Sequence, residues 1–162
     1  MAKLKNHVFI SFRMKEDDFI AAVPLDAMKS SELTSEVNLR RVAKIYAKGI
    51  REISVLVTHL ELTKSRKIPL AASQIWDLGD KILSLIEAIN GQNFEIDNLY
   101  EHLIRDLGRK KDWLKKAIIF RRNLPKRQLI PTNLNWSSCK DSPRKSAELI
   151  LEGDVPKRRA KK

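Results

Sequence analysis

Apolar residues return at three- and four-residue steps from Leu39 through Val42, Tyr46, Ile50, Ile53, Val57 and Leu60. That spacing keeps them on one helix face and predicts a long amphipathic helix from about Ser35 to Thr63. Thr34 or Ser35 can cap its start, and Asn38 to Arg41 open its polar face. Gly49 costs such a helix roughly 1 kcal/mol relative to Ala, so it marks close packing or a bend. TKSRKIP (Thr63 to Pro69) is a break, and Pro69 suits the first turn of a second helix. A broad stripe of Ile75, Trp76, Leu78, Ile82, Leu85, Ile86 and Ile89 predicts that helix over 70–90, ended by Asn90-Gly91.

From Phe94 to Leu124 the same logic runs twice. Leu99, Leu103, Ile104 and Leu107 lead to Gly108, and the stripe resumes at Trp113, Leu114, Ala117, Ile118 and Phe120. Gly108 sits where a helix would end in the left-handed conformation. The expectation is a helix-turn-helix, with Ile104 four positions before the glycine, Leu114 six after it, and Ile118 facing the core. Pro125 stops the second helix, and KRQLIP (Lys126 to Pro131) is a basic connector. A short capped helix is expected at Trp136–Asp141 and another from about Pro143 to Leu151. DVPKRRAKK (Asp154 to Lys162) has no apolar anchor and reads as a disordered basic tail.

Residues 1–34 give a weaker pattern. HVFISF (His7 to Phe12) alternates like a short strand that stands alone, and Asp17, Asp18 and Pro24 interrupt the stretch after it. The polar Ser30–Glu36 run offers capping residues. This segment reads as an arm, partly disordered or docking on a partner. The whole is expected to be all-α: an N-terminal arm at 1–34, a helical domain at 35–153 with its helix-turn-helix at about 94–124, and a tail at 154–162. Five glycines and six prolines in 162 residues favour helices over a turn-rich β fold.

Charge changes the picture more than composition does. The chain carries a net +12. Residues 101–162 hold 18 Lys/Arg against 7 Asp/Glu, a net of +11, and residues 1–100 are nearly neutral. Charge segregated in this way points to a polyanion-binding face. It peaks between Arg105 and Arg127, with ten basic and two acidic residues. Arg109, Lys110, Lys111, Lys115, Lys116, Arg121, Arg122, Lys126 and Arg127 are therefore the candidate nucleic-acid-binding residues, placed outside the hairpin. Lys110, Lys111 and Lys115 lie at the start of the second helix, where a base-reading side chain would enter a major groove. Lysines suit phosphates better than bidentate base contacts, so weak sequence preference is expected. Of the tryptophans, Trp76 and Trp136 read as packing anchors, and Trp113 suits either base stacking or capping the hairpin.

Catalytic sets are missing from the sequence. Asp77 and Asp80, with Glu87 further along, share a helix face, but no strand-borne acid-and-lysine set accompanies them. His7, His59 and His102 lack ligand spacing, and Ser137, Ser138 and Cys139 have no evident base partner. No catalytic residue, metal ligand or cofactor is expected. The single cysteine fits a reducing cytoplasm, no apolar run approaches the ~20 residues that span a bilayer, and nothing at the start reads as a signal peptide. PKRRAKK (Pro156 to Lys162) has the form of a nuclear import signal, but a phosphate-touching tail is the preferred reading.

Three segments carry a likeness to a known family. IWDLGDKI (Ile75 to Ile82) resembles the helix written roughly YWEIGRRI in the amino-terminal domain of YhcG-type proteins. Leu99 to Pro125 is similar to that domain's next pattern, L-x-x-DL-G…L-x-x…F-Y-R/L-x-x-P, and also to the helix-turn-helix of ParB-type partition proteins. NLNWSSCKDSPR (Asn133 to Arg144) resembles its L-x-WSHYRELLR element, with Ser138 and Cys139 standing where His and Tyr are usual. The resemblance, over roughly residues 40–150, implies a winged or plain helix-turn-helix that binds DNA. A PD-(D/E)xK nuclease domain usually comes next in that family. The chain ends about ten residues after the last matched helix, so no nuclease activity is carried over. The expected partner is DNA, with RNA as the alternative polyanion. A homodimer or a nuclease engaged in trans by the first two helices is the competing expectation.

Overall fold

The computed structural model describes residues 9–14, 20–24, 34–92, 94–96 and 98–158. Five α-helices among them make the fold all-α in class, with a small three-stranded sheet attached. The first helix, α1, spans Thr34–Ser65 and α2 spans Ala72–Asn90. After a short strand come α3 at Leu99–Leu107, α4 at Lys111–Asn123 and α5 at Pro143–Leu151. Single 3-10 turns at Arg127–Leu129 and Trp136–Ser138 fill the stretch before α5.

The apolar periodicity becomes the core. Val42, Tyr46, Ile53 and Leu60 of α1 are buried against Ile75, Leu78, Ile82 and Ile89 of α2, and α4 adds Leu114, Ala117 and Phe120. Two glycines bring backbones close. A Cβ on Gly49 would stand 2.6 Å from Leu85 Cδ1, so this glycine serves packing between α1 and α2. A Cβ on Gly79 would run into the Ala117 carbonyl oxygen where α2 crosses α4.

Several boundaries differ from expectation. The second helix begins at Ala72, with Pro69 outside it. The reason is tertiary: Ala72 N–H donates to the Leu134 carbonyl at 2.8 Å and Trp136 N–H to the Leu70 carbonyl at 2.7 Å. These bonds hold residues 70–72 extended against the later chain. The Gln74 side-chain carbonyl then accepts from Ala71 N–H at 2.9 Å, which supplies half of a capping box. The element expected at Trp136–Asp141 is a single 3-10 turn, while α5 keeps its expected bounds. Pro at the first position of α5 lacks only an N–H that had no helical partner to find.

The strand read as standing alone is paired. Strand β1 (Phe9–Met14) lies between β2 (Ile20–Pro24) and β3 (Phe94–Ile96), antiparallel to both. Phe94–Ile96 is therefore a strand where a helix start was expected, and the α3 helix begins at Leu99. Non-local pairing with β1 overrides the local helical spacing. His7, Asp17, Asp18, Ser30 and Arg159 to Lys162 lie outside the described residues. The tail is anchored at Pro156, which is buried and lines a small cavity with Ser142, Ser146 and Leu149. No helix among the described residues is long and apolar enough to cross a membrane.

Candidate nucleic-acid interface

The pair α3–α4 is built around Gly108. Leu103 and Leu107 are buried on one face of α3, and the helix stops at Gly108, whose φ of 64° is left-handed. Its N–H donates to the Ile104 carbonyl at 2.9 Å. No side chain needs to fit there, and only glycine takes this conformation without strain. At the other end Asn98 starts α3 with φ of 50°, a left-handed position that asparagine tolerates. On α1, the Tyr46 hydroxyl donates to Asp106 Oδ2 at 2.6 Å, and Arg105 Nε pairs with Asp106 Oδ1 at 2.7 Å. Burial first, then Asp106, pushes the Tyr46 hydroxyl well above its usual pKa, so it stays a donor.

Burial orients α4. Leu114, Ala117, Ile118 and Phe120 face inward, against α2 and α5 rather than mainly against α3. Phe120 meets Trp136 edge-on, ring centroids 5.4 Å apart. At 100° per residue, Lys111, Lys115 and Arg122 fall within about 40° of one another, on a stripe that borders the buried face and lies roughly 110° from its centre. All three are exposed. They span roughly 16 Å of helix axis at 1.5 Å per residue. Lys110, just before the helix, and Lys126, just after it, are exposed as well.

The nine candidate residues divide. Lys110, Lys111, Lys115, Arg122 and Lys126 form no ion pair among the described residues, and Lys111 Nζ stands 5.5 Å from the Tyr100 ring centroid. The other four are engaged by acids of the same chain. Arg109 pairs with Glu61 at 2.9 Å, and Lys116 with Asp112 one turn back at 2.9 Å. Arg121 does not lie on the outer face. It folds onto α2, pairing with Asp80 at 2.7 Å, its guanidinium 4.5 Å from the Trp76 ring centroid. Arg127 grips Asp77 through Nε at 2.7 Å and Nη2 at 3.0 Å, and this hydrogen bonding raises its pKa.

Asp77 and Asp80 are thus arginine partners. Among the described residues no group of three or more His, Cys, Asp or Glu side chains is placed to hold a metal ion. Trp76 is buried and its indole N–H donates to the Leu124 carbonyl at 2.7 Å, tying the end of α4 to α2. Trp136 is a buried anchor, and Trp113 is half-buried against the core. Cys139 is fully buried, and burial pushes its thiol up to about 11, which leaves it a poor nucleophile. Sequence reasoning missed Tyr100 beneath Lys111 and the tertiary acids Glu61, Asp77 and Asp80. Only spatial proximity reveals those pairings.

No protein-family model, curated protein or solved structure matches this chain.

Proposed function

We propose that the chain binds duplex DNA through the outer face of α4, as an accessory or regulatory module without chemistry of its own. The observation that carries this reading is the exposed stripe Lys111, Lys115 and Arg122, flanked by Lys110 and Lys126, with the adjoining face of α4 committed to packing. A left-handed glycine between α3 and α4 is in keeping with a helix-turn-helix, whose second helix meets the groove with its first residues. The likeness to the YhcG-type domain and to ParB-type proteins supports the same DNA-binding role.

If each of the five cations meets a phosphate, affinity falls about 500-fold between 50 and 200 mM salt, from a slope of about −0.9 per phosphate. The test is titration of a labelled duplex at those two salt concentrations. A Lys111→Glu, Lys115→Glu double change is expected to weaken binding at least tenfold while helical circular dichroism is unchanged. Absence of salt-dependent binding by the unaltered chain refutes the reading.

A second reading, self-association through α1, is favoured by one observation. Val55 is 72% and Leu62 51% exposed on this helix, beside an open cavity of about 440 Å³ between α1 and α2. Light scattering decides it: a monomer at high concentration excludes this reading.

A further inference from the structure

The break after α1 is more than a connector. Helix α1 closes in a Schellman motif: Ile68 N–H donates to the Thr63 carbonyl at 3.2 Å and Lys67 N–H to the Lys64 carbonyl at 2.9 Å. The left-handed position of that motif belongs to Lys67, with φ of 58°. Glycine or asparagine usually stands there, because a Cβ is strained in this conformation. The helix dipole does not explain the choice, since Lys64 already places a cation in the last turn. A lysine in a strained position directs attention to what its charge does.

Its surroundings supply an answer. The Glu61–Arg109 ion pair, at 2.9 Å, draws the end of α1 beside the turn that starts α4. Lys64 stands one turn beyond Glu61, with Arg66 and Lys67 next, and all three are exposed. On the other side of the pair, Arg109 immediately precedes Lys110 and Lys111. The stretch Leu62–Leu70 contains three cations and no acid. The acids that flank this stretch in sequence are both engaged, Glu61 with Arg109 and Asp77 with Arg127.

We infer that the DNA interface is bipartite: Lys64, Arg66 and Lys67 at the end of α1 form a second phosphate-gripping element beside the start of α4. This rests on the proposed role of α4. The α1 end would hold backbone phosphates next to the groove that α4 enters and fix the helix's register without reading bases. Arg66 can grip a phosphate with two parallel N–H donors, and the lysines act as point charges.

Lys67→Gly separates a binding role from a structural one, because the two effects carry opposite signs. Removing the strained Cβ is expected to raise the melting temperature by about 2–4 °C. Losing one phosphate contact is expected to cut duplex affinity roughly eightfold at 0.1 M salt and reduce the salt slope by about 0.9. Lys64→Ala with Arg66→Ala should lower the slope by about twice that amount. A stabilised Lys67→Gly chain with unchanged affinity and slope, together with an unaffected double variant, overturns the bipartite interface alone. Lack of duplex binding by the unaltered chain overturns the α4 reading and this one together. Binding of structured RNA in place of duplex DNA of equal length also overturns the assignment of the partner.

Discussion

Replacing Gly79 with alanine tests the crossing that sets the position of α4. Helix propensity alone favours the change by about 1 kcal/mol. The structure opposes it. The new methyl would meet the Ala117 carbonyl oxygen, and it would lie 2.9 Å from the Ala117 carbonyl carbon and 2.8 Å from Arg121 Cβ. Comfortable carbon contacts begin near ~3.5 Å, so α4 must retreat by at least half an ångström or so. It has little room, because α5 and Trp136 pack on it from elsewhere. Overpacking of this kind costs about 1–3 kcal/mol, and a backbone obstacle belongs at the upper end. The expected net loss is about 2 kcal/mol, which lowers a urea midpoint by roughly 1 M for a slope near 2 kcal/mol per M. Gly49→Ala is the internal control. Its obstacle is the far end of the Leu85 side chain, and Leu85 lines a cavity of about 290 Å³ into which it can turn. That variant should stay within about 1 kcal/mol of the parent chain. Urea unfolding followed by circular dichroism reads both. A Gly79→Ala chain as stable as its parent, or less affected than Gly49→Ala, refutes the reasoning.

Two further outcomes are expected of the same structure. Gly108→Ala meets nothing within 4 Å, so its cost is purely that of a left-handed backbone, about 1–2 kcal/mol. Thermal melting should show the loss, and Gly108→Asn should recover part of it. Alkaline pH should destabilise the fold. Burial raises the Cys139 thiol from 9.0 to about 11, and the Tyr46 hydroxyl is raised above its usual 10.0, so the folded chain keeps protons that the unfolded chain gives up. Stability is therefore complete below pH 9 and declines as pH rises towards about 11. Urea midpoints at pH 8 and pH 10.5 check this, and Cys139→Ala should show a shallower decline. Equal midpoints for the parent chain would remove the argument.

What could be read from the sequence tracks how local its cause is. Helix α5 kept its bounds because proline at its first position and the Ala147–Ile150 spacing act within one segment. Gly108 behaved as expected for the same reason, since a left-handed cap is a local need. Phe94–Ile96 carries a helical spacing in sequence and becomes a strand because its partner, β1, lies some eighty residues earlier. The charge count located the basic helix yet overstated what its surface offers. Arg121 and Arg127 are held by Asp80 and Asp77, 41 and 50 residues away in sequence, and no window of local charge could reveal that. The end of α1 shows in sequence as a break with a run of cations ending on Lys67, whereas the left-handed backbone of Lys67 leaves no sequence signal, since glycine or asparagine usually marks it.

The packing of α4 also bears on what can be cut out of this chain. Its apolar face is covered by α2 and α5, and its contact with α3 is slight. Residues 94–124 are thus a pair in sequence but not a module in energy. A peptide of those residues would expose Leu114, Ala117 and Phe120 to water, and because α2 is itself buried against α1, the piece that keeps α4 covered runs from α1 through α5. Grafting the basic helix onto another scaffold means carrying its two distant covers with it.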